Sequence, residues 1–520
     1  MICFIYLSGL LIDFYSMDVL HELINVLDDQ GKSHFKAYLA KKNKRSDVKN
    51  IKLFNLIETD DLKYINNLYK NSNKDAYHAL RKRLYDNLLL FISQRTFEHS
   101  NDEVYEILRN FVVSRFLLEN NLHKIGFKSL VKAEKLAIAQ EQFGLLNEIL
   151  LLKLQFSHLD PKSNLDELMM EFRRNQDHMH RESKLRLAYA SLRRALEEIH
   201  LKGKVVNLSE LIEKTFKDYQ VSRVDLMNYK SLYQILFIAN EYAAINQNYG
   251  LIEKYLIKSH QFIESQKEKQ TSQIFYKLHV LYYLANFSLR SKHFAECMDF
   301  LMQIDELLKE RQEYKSILFT RVQLLYGLNS FFMGHPQKGI QYIDEVLHEP
   351  PSQVSQMDKD DLILTKAMFL AQLNDPKSLG VLAKLTHSDA WYEKKMGMLW
   401  SIRKNLMEVL LQIQFENLDV SLSRLRSFKR RYKKYLNQVN EQRVLQFVTL
   451  IEKYVNKPNV IYQPSFQSTV YKMMELDENK DIFNLSFIAW LISRWEGSSP
   501  YEVTMQLISQ LSENSPIKMT

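Results

Sequence analysis

The stretch QLLYGLNSFFMGHPQKGIQYIDEV, residues 323–346, decides the class of this chain. Gln323, Tyr326, Gly327 and Ser330 recur at spacings of three and four, so they share one side of a helix. Gly334 and His335 break that run. Pro336, Gly339, Ile343 and Val346 then resume the same period. The segment reads as two helices folded back on each other. Small residues on the facing sides let the two axes approach closely.

The pattern returns along the chain. In 281–308 the order is Leu281, Leu284, Ala285 and Ser288, a break at Arg290–Lys292, then Phe294, Cys297, Leu301 and Ile304. In 236–264 it is Leu236, Ala239, Asn240 and Ala243, a break at Asn246–Asn248, then Tyr249, Ile252, Leu256 and Ser259. Near 117–133 a break at Glu119–Asn121 precedes Gly126, Leu130 and Ala133. These blocks resemble tetratricopeptide repeats. Gly327, Gly334, Gly339, Ile343 and Val346 sit at the family's offsets, as do Gly126, Leu130 and Ala133. The first-helix Trp of the family is absent, and only one copy carries Gly at the turn. The step from Ile252 to Cys297 and on to Gly339 is longer than the family's period of about 34, which leaves a HEAT-like period of about 40–47 open. The resemblance implies an all-α fold, a right-handed superhelical stack of antiparallel helix pairs (a tetratricopeptide-like α-solenoid) with atypical terminal helices.

Composition supports the helical class. The chain has 520 residues with 12 Gly and 9 Pro. Average usage of roughly 7% and 5% would give about 36 and about 26. Turns that need positive φ or a fixed φ are therefore expected to be few. Residues 17–100 read as an N-terminal helical cap, 101–350 as the repeats, 351–456 as further helical repeats and 457–520 as a C-terminal helical cap. Helices are expected over 164–178 and 182–201, and a single Trp-bearing helix over 389–415. Asp358 is expected to cap the helix that follows the Pro350–Pro351 pair, and KPNVIYQPSF (457–466) to form a loop. Phe483, Phe487, Trp490, Leu491 and Trp495 are expected to close the open apolar end of the stack.

The apolar run Met1–Ile12 is too short to span a bilayer and lacks the charged flank of a signal peptide. Residues 1–16 are expected to be a start-site artefact, with translation opening at Met17. No later segment has the length of a transmembrane helix. Cys3 and Cys297 are the two cysteines, too few for a disulfide framework or a four-ligand zinc site. A reducing cytoplasmic setting is expected, with Cys297 a small core residue.

No phosphate-cradling Gly loop, H-E-x-x-H or G-x-S-x-G is present. No catalytic residue, cofactor or metal site is expected, and the chain reads as a non-enzyme. His178 and His180 lie two apart, so on a helix they cannot share a metal. Asp358, Asp360 and Asp361 read as charge at a helix N-terminus. The densest basic run is 424–434, with Lys429, Arg430, Arg431, Lys433 and Lys434 at its centre. A solvated helix face explains it, with Leu418, Leu422, Leu425, Phe428, Tyr432 and Leu436 on the inner side. Net charge is only +8, short of a nucleic-acid footprint.

The expected function is a non-catalytic interaction scaffold or adaptor that takes a peptide or partner protein in a concave groove. Asn240, Asn286, Gln323 and Asn329 are its candidate contacts. Two alternatives stay open: a regulatory or nucleic-acid-associated helical protein using 424–434, and an enzyme with an unrecognised site between helices.

Overall fold

The computed structural model describes residues 20, 23–24, 27, 29–42, 49–58, 74–99, 103–160, 163–202, 208–222, 229–246, 257–258, 261, 274–311, 314–348, 354–438, 441–474 and 481–513. Among these residues the fold is all-helical, with no strand, and neighbouring helices pack in pairs. Residues 1–16, Met17, Gly203, the Pro350–Pro351 pair and the positions Tyr249, Ile252, Leu256 and Ser259 lie outside the described residues.

The chain divides into two compact units, with the boundary at Met179–His180. The unit before it holds α1 (Asp29–Lys42), α2 (Lys49–Glu58), α3 (Lys74–His99), α4 (Glu103–Glu119), α5 (His123–Ala139) and α6 (Phe143–Phe156). Helix α7 (Leu165–Lys202) begins in this unit and ends in the next. Helices α1–α3 bury Phe35, Phe54 and Leu84, and α4–α7 bury Leu130, Ala133 and Ile149. The break expected near residue 180 is absent, and one helix replaces the pair 164–178 and 182–201. That stretch is polar but holds no Gly or Pro, so nothing in it stops a helix.

The second unit holds α8 (Leu208–Asp218), α9 (Tyr229–Asn246), α10 (Ile274–Arg290), α11 (Phe294–Glu310), α12 (Lys315–Phe332), α13 (Pro336–His348), α14 (Gln356–Gln372), α15 (Lys377–Leu382), α16 (Asp389–Lys395), α17 (Met398–Gln414), α18 (Leu418–Gln438), α19 (Gln442–Asn456), α20 (Pro464–Met474), α21 (Ile482–Glu496) and α22 (Pro500–Glu513). The single helix expected over 389–415 is broken into α16 and α17. Gly397 sits between them at φ 87°, a conformation L side chains rarely adopt. The loop expected over 457–466 is a short 3₁₀ turn, Pro458–Tyr462, followed directly by α20.

One turn recurs throughout. Two residues after α4, α5, α8, α10, α12, α14 and α17 a residue takes positive φ: Asn121, Glu141, Gln220, Lys292, Gly334, Asn374 and Glu416. The next amide donates back to the carbonyl five residues upstream, as in Leu122→Leu117 (2.8 Å), His293→Ser288 (2.8 Å), His335→Ser330 (3.0 Å) and Asn417→Gln412 (2.8 Å). This is the Schellman closure, which satisfies orphan carbonyls at a helix end. Only one of the seven residues is Gly, so positive-φ turns are commoner than the Gly count suggests.

Counting from the positive-φ residue, position +5 is small and buried: Gly126, Cys297, Gly339 and Ser421. Positions +9 and +12 are buried too: Leu130 and Ala133, Leu301 and Ile304, Ile343 and Val346, Leu425 and Phe428. Four hairpins therefore share one register. Its tightest point is between α12 and α13. A Cβ on Gly339 would lie 2.7 Å from the Gly327 carbonyl oxygen, and one on Gly327 would lie 3.0 Å from the Gly339 carbonyl oxygen.

Helix α21 is buried along nearly its whole length. Phe483 meets Phe332 of α12, Phe487 meets Phe447 of α19, and the Trp490 indole donates to Gln414 of α17 at 2.8 Å. Tyr501 of α22 donates to the Phe331 carbonyl at 2.9 Å. Phe331 in turn stacks on Phe369 of α14, ring centroids 3.9 Å apart. The C-terminal hairpin thus touches helices more than a hundred residues upstream as well as its sequence neighbours. This is why α10 and α12 are apolar around most of their circumference.

Candidate functional site

Three of the four candidate partner contacts lie in the interior: Asn240 is 2%, Asn286 1% and Asn329 0% exposed, and Gln323 is half-buried. Asn286 donates weakly to Asn240 between α10 and α9, at 3.4 Å. Asn329 donates to the Phe294 carbonyl at the start of α11, at 3.1 Å. Asn175 does the same to Phe143 at the start of α6, at 3.1 Å. These amides bind one hairpin to the next and use donors that would otherwise be buried without a partner.

The basic run splits in two. Lys429 pairs with Glu452 of α19, Arg431 with Glu393 of α16 (2.9 Å from Nη2), and Arg424 with Glu408 of α17 (3.0 Å). These three hold α18 to its neighbours. Arg426, Arg430, Lys433 and Lys434 are exposed and make no ion pair among the described residues. On the inner side Leu425, Phe428, Tyr432 and Leu436 are buried, while Leu418 is exposed. The Tyr432 hydroxyl, 1% exposed with its residue, lies 2.9 Å from Ser401 Oγ and accepts from Asn405 at 3.1 Å.

A cavity of about 80 Å³ opens between α17, α19, α20 and α21. Its walls are Leu399, Ile402, Leu406, Phe447, Met473 and Ile488, all buried. Arg403, Glu441, Arg443 and Asn484 also line it. Arg443 Nη2 donates to both Glu441 oxygens at 3.0 Å. An engineered apolar cavity that takes benzene is about 150 Å³. The present one is smaller and has room for about the end of one apolar side chain.

The acidic trio has separate roles. Ser355, not Asp358, caps α14: its hydroxyl oxygen accepts from the Asp358 amide at 3.0 Å. Asp358 lies in the first turn, paired with Arg321 at 3.2 Å. Asp361 is buried and accepts from the Trp400 indole at 2.6 Å. Burial pushes its carboxyl up to about 7, against the opposing effect of that hydrogen bond. Asp360 is buried beside it, accepts from Gln356 at 2.9 Å, and is raised by the same cause.

Other titratable groups are structural. Burial pushes the Cys297 thiol up to about 12 and holds the His279 imidazole down at about 4. Cys297 is therefore a thiol and His279 neutral near pH 7. His178 stacks on Phe143, centroids 4.8 Å apart, and His180 is exposed on the same helix. No cluster of three metal-ligating side chains occurs among the described residues. No described helix is long and apolar enough to cross a membrane.

The sequence reading missed one pair altogether. Arg290 ends α10, and its Nη1 donates to Asp481 at 2.6 Å, with the two side chains 1% and 7% exposed. The guanidinium also lies over the Phe483 ring, 4.8 Å from its centroid. Burial alone would raise the Asp481 carboxyl; Arg290 and Arg403 outweigh it and hold the group below the usual range. Set against protein families, curated proteins and solved structures, the chain matches none.

Proposed function

We propose that this chain is a non-catalytic protein-interaction scaffold of the tetratricopeptide-like kind, an α-solenoid whose stacked hairpins hold a socket for one apolar side chain of a partner peptide. The observation that supports it is the common register of the four hairpins, with small residues at +5 and apolar ones at +9 and +12. Stacked units of this kind bury faces against their neighbours and leave other surfaces for partners, here with α21 and α22 closing part of α10 and α12. The contact belongs at the cavity between α17, α19, α20 and α21, since Asn240, Asn286 and Asn329 serve the interior. A mostly apolar pocket with charged residues in its lining suits an anchor site at a protein interface.

The test is affinity capture from the native cell, run in parallel with the Ile402→Phe variant. The larger ring fills the cavity. A partner held by wild type and lost with the variant is expected. A partner set unchanged by the substitution, in a variant with wild-type circular dichroism, would defeat this reading.

A further inference from the structure

We infer that the outer face of α18 is a second docking surface, for an acidic helix of a partner protein. Arg426, Arg430, Lys433 and Lys434 lie within one exposed strip of that helix, with Ser423 and Ser427 in the adjoining row. With a rise of 1.5 Å per residue, Arg426 and Lys434 stand about 12 Å apart along the axis. Arg426 and Arg430 are one helical turn apart, the spacing at which carboxylates at i and i+4 of a facing helix are set. Guanidinium groups hold carboxylates in a two-point fork, which gives such a contact its orientation.

The neighbours of the strip select the partner. Glu393, Glu408 and Glu452, each tied to a different basic residue of α18, flank it with carboxylates from α16, α17 and α19. A partner that spreads beyond the strip brings its own charge against these flanks, so a polyanion carrying phosphates along its whole surface is disfavoured relative to a helix that presents carboxylates on one face. The strip also offers no ring for a single strand to stack on: Tyr432 is buried and Tyr435 half-buried. This surface is independent of the apolar socket, and either can stand without the other.

Fluorescence anisotropy of the full chain with a labelled alanine-rich helical peptide carrying glutamates at i and i+4 on one face, and separately with a labelled DNA duplex, tests the inference. Two variants are compared, Arg426→Glu with Arg430→Glu on α18, and Lys124→Glu with Lys128→Glu on α5, which change net charge equally. All four side chains are exposed, and circular dichroism checks that both variants fold. Wild type is expected to bind the acidic peptide at low ionic strength and to lose it as salt rises. The α18 variant is expected to bind about tenfold more weakly, and the α5 variant to change less than about twofold. Equal loss in both variants, DNA held more tightly than the peptide through the same arginines, or no binding of either probe would each overturn it.

Discussion

Replacing Gly339 by Ala tests the closeness of the α12–α13 hairpin directly. The new Cβ would lie 2.7 Å from the Gly327 carbonyl oxygen, 2.9 Å from Phe331 Cβ and 3.1 Å from the Phe331 amide nitrogen. Two of these three neighbours are backbone atoms and cannot rotate away. Helix α13 must back off by roughly half an ångström, which disturbs the packing of Ile343 and Val346, 0% and 2% exposed. Overpacking of this kind costs about 1–3 kcal/mol. Ala is about 1 kcal/mol better than Gly in a helix interior, so a net loss of up to about 2 kcal/mol is expected. Gly380 in α15 is the control, because a Cβ there meets nothing within 4 Å. Gly380→Ala is expected to gain up to about 1 kcal/mol. Urea denaturation followed by tryptophan fluorescence reads both, since all four tryptophans, 391, 400, 490 and 495, lie in the second unit. If Gly339→Ala stabilises as Gly380→Ala does, the helices are not in backbone contact and the shared register loses its tightest point.

Other substitutions probe the turns and the buried charges. Asp481→Asn keeps a competent cap for α21 but removes the carboxylate paired with the buried Arg290 guanidinium, and is expected to cost up to about 3–5 kcal/mol in urea unfolding. Adding Arg290→Met should recover much of that loss. Glu416→Gly removes the strain of a left-handed residue at φ 63° and should raise the urea midpoint, by up to about 1 kcal/mol. Asp361 supplies the pH test. Its folded carboxyl titrates at about 7, above the ordinary value near 3.9, so the unfolded chain binds fewer protons between those values. Its contribution is fully present below the lower value and is lost as pH rises through the upper one, on the order of 4 kcal/mol at most. Asp361→Asn should therefore flatten the fall in stability between about pH 4 and pH 7. A parallel decline in wild type and variant would assign the pH dependence to other groups.

The hairpins were legible because their causes are local. Three-and-four spacing, small residues at facing positions and a polar break set each helix pair without reference to the rest of the chain, as in 323–346. The turns were half legible. A low Gly count pointed to helices, yet Glu141, Lys292 and Glu416 take positive φ because the Schellman bonds outweigh the strain. Gly397 was the opposite case, a glycine read as helical that breaks one helix into two. What resisted reading depends on partners far along the chain. Arg290 looked like part of a polar break, yet it is an interior residue paired with Asp481, 191 residues away. Asn240, Asn286 and Asn329 looked like groove contacts because a polar side chain on an apolar helix has two explanations, a ligand or a neighbouring backbone. The interior choice is seen in their partners, Asn286 donating to Asn240 and Asn329 to the Phe294 carbonyl, while α21 and α22 cover part of α12.

The same argument decides which charges on α18 can meet a partner. Its own sequence treats Lys429, Arg430 and Arg431 alike. The carboxylates of Glu452 and Glu393 take the first and third, and leave the second facing water. A basic run is thus a sum of internal ties and free charge, and its net positive count overstates what it offers to a ligand. On α18 the part without an ion pair among the described residues is Arg426, Arg430, Lys433 and Lys434, flanked by the carboxylates of Glu393, Glu408 and Glu452. Those flanks oppose any anion that spreads beyond the strip, and that charge pattern favours an acidic helix over a nucleic-acid duplex.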